Sequence, residues 1–339
     1  MREKAWTYER AGVSIPKQRS LHEIALAAAR AVSEQLKVEV EGLGGYGASM
    51  KLNGLKLMLH VDGVGTKTIV LRELNKLWVA GWDCIAMNVN DVACDRGRPL
   101  AVVDYISMPE ADNEAFAQIM EGIARAALES KIVILGGETA ILPDLASGVD
   151  VVCSVLALKE GEVESLEEGD VLVGVESLGL HANGYTLVRR LLKHKGLSFS
   201  SRVDDLDLSV ELSKPTAIYS NLLLQAYQLG LAKRAAHITG GGFTKIKRIL
   251  GPALDARIAA PKPPRVFEVI QELGSVSSEE MYRVFNMGVG LVVAAKPENA
   301  DDLIELAERH GFRASVIGTI ARGSGRVLIE TWRGEKLEL

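Results

Sequence analysis

The chain has 339 residues, 47% hydrophobic and 24% charged, with a net charge of −5. At roughly 150 residues per domain this length predicts two domains, and the balance predicts a packed core and excludes wholesale disorder. The acidic excess and the lack of a dense basic run argue against a nucleic-acid partner, while leaving room for a local basic pocket that takes a small phosphorylated ligand. No apolar stretch reaches the length of a membrane span. The opening M-R-E-K-A-W-T-Y-E-R lacks the apolar centre of a signal peptide, so a cytoplasmic protein without a membrane partner is expected. Cys84, Cys94 and Cys153 show no C-x-x-C spacing and read as reduced thiols packed in a core. The six histidines are scattered and form no metal-helix pair.

The elements follow from periodicity. Residues 21–36 carry apolar residues at helical spacing. Residues 55–61 place Leu55, Leu57, Leu59 and Val61 on one face of a strand. A helical pattern spans about 76–90, a buried strand 100–106, and a helix about 112–130. K-I-V-I-L-G-G-E is a strand running into a glycine turn, and 150–157 is another strand. The charged stretch 159–170 reads as a connection between domains or a surface turn. The second half repeats the alternation. D-V-L-V-G-V-E is a strand, N-G-Y-T-L-V-R-R-L-L and K-P-T-A-I-Y-S-N-L-L-L-Q-A-Y begin helices, 289–295 is a strand and 299–310 a helix. Two α+β halves of similar size result, 1–165 and 166–339, with no short tandem repeat.

Residues 61–67 read V-D-G-V-G-T-K. They match neither G-x-x-x-x-G-K-[ST] nor G-x-G-x-x-G. They do hold the parts of a phosphate site: Gly63 and Gly65 for close backbone approach, Lys67 for charge, and Asp62 at a strand end for a divalent cation. A hairpin turn with a solvated lysine fits the same residues. Asp91 in N-V-N-D and Glu138 in G-G-E-T fall beside the ends of apolar segments, and Asp104 and Asp150 flank or enter strands. Carboxylates gathered in this way suit a Mg²⁺-nucleotide site of a non-Walker type, although each alone could be a cap or turn residue. His181-Ala182-Asn183-Gly184 is either a helix start capped by Asn183 or an exposed imidazole and amide for ligand contact and proton transfer. Gly240, Gly241 and Gly242 precede a basic helix start and make an anion cradle or a flexible turn. Phe285-Asn286-Met287-Gly288 is a turn, with Asn286 in a pocket or in a left-handed conformation.

Taken together, these segments resemble the aminoimidazole ribonucleotide synthetase (phosphoribosylformylglycinamidine cyclo-ligase) family of purine biosynthesis. D-G-V-G-T-K and G-G-E-T mark the wider superfamily. Y-E-R-A-G-V-S-I, H-A-N-G-Y and E-M-Y-R-V-F-N-M-G are the family-specific stretches, and the order runs nearly end to end. The resemblance implies a two-domain α/β subunit and a homodimer whose N-terminal mixed sheets build one barrel-like sheet. It also implies ATP with Mg²⁺, and conversion of formylglycinamidine ribonucleotide to aminoimidazole ribonucleotide with release of ADP and phosphate. Carried onto this chain, Asp62, Asp91, Glu138 and Asp150 would hold the metal. Gly63, Gly65, Thr66 and Lys67 would cradle ATP, under a flexible loop at Gly44, Gly45 and Gly47. His181 and Asn183 would contact substrate, His181 also moving a proton, and Gly240, Gly241 and Gly242 would take the substrate phosphate.

The chain departs from the family at A-C-D-R-G-R, at Ile141 in place of a glutamate, at Ala182 in place of a serine, and at A-A-P-K-P-P-R-V-F. A sister enzyme of the same superfamily, such as thiamine monophosphate kinase, selenophosphate synthetase or the hydrogenase maturation factor, is the nearest alternative. A non-catalytic nucleotide-binding assembly protein is the other.

Overall fold

The structure is a computed structural model that describes residues 5–339; the first four residues of the polar opening stretch lie outside it. The first half opens with α1 (Ile15–Leu36), β1 (Val40–Glu41), β2 (Ser49–Leu52) and β3 (Leu55–Gly63). It continues with α2 (Lys67–Glu73), α3 (Trp78–Cys94), β4 (Gly97–Met108), α4 (Asn113–Ser130), β5 (Val133–Ile141) and β6 (Asp150–Lys159). Its six strands lie in the order β1-β2-β3-β6-β4-β5, antiparallel except for the parallel pair β4–β5.

The second half contains β7 (Val171–Glu176), α5 (Tyr185–His194), the short hairpin β8 (Arg202–Val203) and β9 (Leu206–Asp207), α6 (Leu208–Glu211), α7 (Ser220–Gln228) and β10 (Arg234–His237). β11 (Leu254–Ala259), α8 (Arg265–Gly274), α9 (Ser278–Val284), β12 (Val289–Ala295), α10 (Ala300–Arg309), β13 (Ala314–Arg322), β14 (Val327–Glu330) and β15 (Lys336–Glu338) complete it. Seven strands run β10-β12-β7-β13-β11-β14-β15, with β11–β14 the parallel pair. The chain is thus a mixed α/β protein of two sheets, each with its own hydrophobic core.

Strand alternation decides what each face of the first sheet meets. In β3, Met58, His60 and Asp62 face α3, whereas Leu57, Leu59 and Val61 face outward. The apolar stripe read from the sequence is therefore the open face: Leu59, Val61, Val103, Tyr105 and Leu135 are all exposed. The other face is covered by α3, which is buried along nearly its whole length and touches α4, β3, β4, β6, α7 and β10. Residues ahead of α1 join the other core. Trp6 and Ala11 pack with the second half, and the Trp6 N–H donates to the Gly274 carbonyl at 3.0 Å.

Several expected elements shift for identifiable reasons. A helix, α2, starts at Lys67, where the motif suggested a loop or hairpin turn. K-P-T-A-I-Y stays irregular and α7 begins only at Ser220, because the Thr216 and Tyr219 N–H groups are drawn to the side chains of Asp83 and Asn90 instead of into a helix. The glycines at 240–242 lead into a short 3₁₀ helix, Gly242–Arg248, not an α-helix. The reduced-thiol expectation fails for two of the three cysteines. Cys84 and Cys153, 69 residues apart, form a disulfide between α3 and β6, while Cys94 is free and buried.

The crossing of α3 over α4 depends on two glycines. A Cβ on Gly122 would sit 1.8 Å from the Trp78 carbonyl oxygen, and one on Gly81 would sit 2.0 Å from that of Ile119. Backbone cannot yield to such contacts without separating the helices. Gly122→Ala should cost about 2 kcal/mol or more, read as a lower midpoint in urea. Gly148→Ala, where a Cβ would meet no atom within 4 Å, should leave the midpoint unchanged.

Candidate active site

α3 is an apolar helix that carries Asp83, Asn88, Asn90 and Asp91, all buried. Buried polar groups need partners, and these four find theirs on both halves. Asp83 Oδ2 accepts from Lys67 Nζ at 2.6 Å, and Asp83 Oδ1 accepts from the Thr216 N–H at 2.7 Å. Lys67 Nζ also donates to the Lys214 carbonyl at 2.7 Å and lies 5.4 Å from the Tyr185 ring centroid. Lys67 is therefore not the free phosphate-binding cation expected from its motif, nor is it solvated. It is a fully buried strut between the halves, and burial pulls its pKa down despite the opposing charge of Asp83.

Two turns further along α3, Asp91 sits between two imidazoles. Its Oδ1 is 2.7 Å from His237 Nδ1 and its Oδ2 is 3.4 Å from His60 Nε2. Hydrogen-bond accounting gives the tautomers. Asn90 Oδ1 accepts from the Tyr219 N–H, and Asn90 Nδ2 donates to the Ala217 carbonyl and lies 3.3 Å from His237 Nε2. His237 Nε2 is thus an acceptor, and its Nδ1–H points at Asp91. Asn88 Nδ2 donates to the Cys84 and Asp62 carbonyls, so Asn88 Oδ1 accepts from His60 Nδ1 at 2.8 Å.

The electrostatics follow. Burial disfavours the charge on Asp91, but the hydrogen bonds and charges of His237 and His60 outweigh it and hold the carboxyl well below the usual range. Asp62 moves the other way: burial and then the neighbouring Asp91 charge raise its pKa. For His60, burial is opposed and outweighed by the Asp91 hydrogen bond and charge, so its pKa rises. Lys245, from the 3₁₀ helix, closes this group. Burial and Arg248 lower its pKa, against the pull of Asp91 and Asp62.

The structure brings together some of the expected residues and separates others. Asp62 and Asp91 lie close enough for the charge of Asp91 to raise the pKa of Asp62. Glu138 and Asp150 do not join them, because alternation puts Glu138 beside Tyr105 and Asp150 beside Ser107 on the open face, while Asp62 lies in the row of Cys153 on the helix-covered face. The four carboxylates thus form no single cluster within one chain, and among the described residues no three side chains are arranged so that they could hold a metal ion between them.

Asn183 is not the helix cap, which is Gly184, but it does meet the glycine segment: a Cβ on Gly240 would lie 3.0 Å from Asn183 Oδ1. His181 is buried, not exposed. Its Nε2 lies 3.3 Å and 3.5 Å from the N–H groups of Leu178 and Ala217. Burial, with His237 and Lys67 nearby, drives its pKa well down. It is a neutral imidazole with its proton on Nδ1, and that nitrogen and Asn183 Nδ2 are buried without partners. With Nε2 facing the backbone N–H groups, His181 presents Nδ1–H as a hydrogen-bond donor.

Gly242, at φ +52°, packs where a Cβ would be 2.2 Å from the Tyr282 carbonyl oxygen, while Gly241 adopts φ +98°. Packing and turn geometry therefore account for these two glycines. The loop at Gly44, Gly45 and Gly47 is tied down: Asp95 Oδ2 accepts from the N–H groups of Tyr46 and Gly47, and Arg248 lies 4.6 Å from the Tyr46 ring centroid. Asn286 is likewise saturated, by Ser177, Gly179 and Gly288. His60, His237 and Lys245 join this group although no motif marks them. The available signal was the row of polar residues inside the apolar helix α3, which had to be answered by polar partners elsewhere.

Consecutive parts of the chain match two family descriptions: "AIR synthase related protein, N-terminal domain" over residues 44–158 and "AIR synthase related protein, C-terminal domain" over residues 167–330. Together the two matches define an AIR synthase related protein. Phosphoribosylformylglycinamidine cyclo-ligase of Saccharolobus solfataricus is 36% identical, with 98% of each chain covered. That of Sulfurisphaera tokodaii is 39% identical over 97% of this chain and 98% of its own. That of Pyrococcus furiosus is 35% identical over 96% and 98%. The chain belongs to the phosphoribosylformylglycinamidine cyclo-ligase family. Among solved structures, a HypE–HypF complex covers 92% of this chain and 98% of that chain at TM-score 0.65 and 18% identity. AaThiL complexed with AMPPCP and TMP covers 91% and 93% at TM-score 0.65 and 18% identity. At that identity the likeness establishes a shared fold.

Two variants test the cleft. Lys67→Met strands the buried Asp83 carboxylate and should cost about 3–5 kcal/mol of stability, with part recovered by adding Asp83→Leu; unchanged stability with a raised KM for ATP would restore the phosphate role. Asp91→Asn should cost about 2 kcal/mol at neutral pH. Because the folded pKa of Asp91 is depressed, its contribution is complete above the ordinary carboxylate range near pH ~4 and fades as pH falls toward the folded value. The Tm gap between wild type and variant should therefore narrow below that pH; a gap constant down to pH 3 would contradict the assignment.

Proposed function

We propose that this protein closes the imidazole ring of aminoimidazole ribonucleotide, using formylglycinamidine ribonucleotide and ATP and releasing ADP and phosphate. The observation that carries this is the likeness at 35–39% identity over nearly the full length of the named cyclo-ligases. The fold shared with AaThiL and HypE leaves phosphorylation of a different small molecule as the second reading. An amide oxygen is a poor leaving group. Transfer of the γ-phosphoryl to the formyl amide oxygen gives an iminophosphate and ADP. The amidine nitrogen then attacks the same carbon, the C–O bond breaks, and phosphate departs. That attack is intramolecular, so holding the substrate folded supplies much of the acceleration.

The chain's residues suit charge neutralisation and alignment. Mg²⁺ is commonly held by one or two carboxylates, with phosphates and water completing the shell, and the adjacent Asp62 and Asp91 fit that demand. Bound there, the ion would offset triphosphate charge. Asp62, whose pKa is raised by burial and by its acidic neighbour, is the better placed to gain from a cation. The two imidazoles orient Asp91. Lys245 adds a fixed positive charge to the same cleft, and His181 Nδ1–H and Asn183 Nδ2 are spare donors at the junction of the halves.

The working unit in this reading is a homodimer in the cytoplasm. Its interface is the open face of the first sheet, where Leu59, Val61 and Leu135 leave apolar surface exposed. Purified protein supplied with ATP, Mg²⁺ and formylglycinamidine ribonucleotide should form ADP and ring product in equal amounts, and chelation should stop both. Asp62→Asn should lower kcat by at least about a hundredfold with the melting temperature retained. Turnover of thiamine monophosphate instead would favour the sister kinase. Val61→Glu should convert the dimer to monomer in sedimentation, and a wild-type monomer would end the dimer proposal.

A further inference from the structure

A second polar site lies beside the cleft, between α2 and α5. Thr186, Arg189, Arg190 and Lys193 recur at i, i+3, i+4 and i+7 on α5 and so share one face. With Thr66 and Ser198 they line a groove of about 610 Å³ between the two halves. The Thr66 and Thr186 hydroxyls are 2.9 Å apart. That contact uses one hydroxyl proton and leaves the other for a ligand.

The cations of this groove are poorly balanced. Arg189 Nε is buried and has no hydrogen-bond partner. Burial and the adjacent Arg190 both disfavour its charge, and only Glu73 opposes them. Glu73 lines the same groove, yet among the described residues no carboxylate comes within ion-pair distance of Arg189. The Arg190 guanidinium packs over the opening segment: a Cβ on Gly12, at φ +86°, would lie 3.0 Å from Arg190 Nη1. This gives the A-G-V stretch a physical task that the cleft did not supply. A half-buried, forked donor with an empty N–H, two further cations that are exposed, and a free hydroxyl proton are a match for a tetrahedral dianion.

Resting on the function proposed above, we infer that this groove takes the ribose 5′-phosphate of the ribonucleotide substrate. It relieves Gly240, Gly241 and Gly242 of that duty. It also places Thr66 of D-G-V-G-T-K and Thr186 of H-A-N-G-Y-T on one ligand.

The test is binding and kinetics on the intact protein. By calorimetry, ribose 5-phosphate and inorganic phosphate should bind wild type, and should bind Arg189→Ala and Lys193→Ala at least about tenfold more weakly, the loss expected for a charge-assisted hydrogen bond. Arg189→Lys, which keeps the charge and loses the fork, should fall between. In turnover, the alanine variants should raise KM for formylglycinamidine ribonucleotide by a similar factor while KM for ATP stays put, with melting temperature checking the fold. Wild-type affinity for ribose 5-phosphate in both alanine variants would overturn the assignment, as would a rise confined to KM for ATP. If wild type binds ribose 5-phosphate through Arg189 yet turns over no formylglycinamidine ribonucleotide, the ring-closing reading fails and the groove as a sugar-phosphate site stands.

Discussion

α3 is the constraint on which the molecule depends. A helix buried on every side has no water to satisfy Asp83, Asn88, Asn90 and Asp91, so each must be matched by a group the rest of the fold delivers to it. The partners come from β3, α2, the irregular segment before α7, and β10. The hydrogen bonds that let the helix exist are therefore the bonds that register one half against the other. Such buried pairs add little net stability compared with a well-packed apolar core, but losing one partner is costly. They act mainly to select one arrangement of the two sheets, and that arrangement is what creates the cleft.

The same economy of partners polarises the two acidic residues. Asp91 receives donors from both halves and stays ionised, whereas Asp62 receives one backbone N–H, from Gly63, and faces its charged neighbour. Two carboxylates pushed in opposite directions by their surroundings have different tasks. One is a fixed charge held by imidazoles; the other is poised to be relieved by a cation. Lys245, brought in by the 3₁₀ helix of the second half, ties this balance to the other half of the chain, since Asp91 and Asp62 support its charge against burial and Arg248.

The elements were largely legible because their patterns are local. The apolar runs at 100–106 and 289–295 and the helical spacing at 112–130 report burial directly. What could not be read depends on distant partners. Lys67 looks solvated until Asp83, on a different helix, reaches it. His181 looks available until the backbone of Leu178 and Ala217 occupies its basic nitrogen. Nothing in a spacing of 69 residues marks Cys84 and Cys153 as a pair. Asp62 and Glu138 look equivalent as acids at strand ends, but strand alternation sends them to opposite faces, a difference of one register step that composition does not carry.

V-D-G-V-G-T-K shows why a motif is not yet a site. Within six residues the backbone turns from strand to helix, so neighbours in sequence point in unrelated directions. Asp62 looks toward α3, Gly65 adopts φ +64° at the turn, Thr66 meets Thr186 over the groove, and Lys67 drops into the core. The loop is needed less as a single phosphate cradle than as a junction that supplies one residue to each of three environments. This accounts for a stretch with the composition of a phosphate loop and the spacing of none. The glycines allow the change of direction, and the acid, hydroxyl and amine serve the acidic cleft, the basic groove and the strut that holds the two apart.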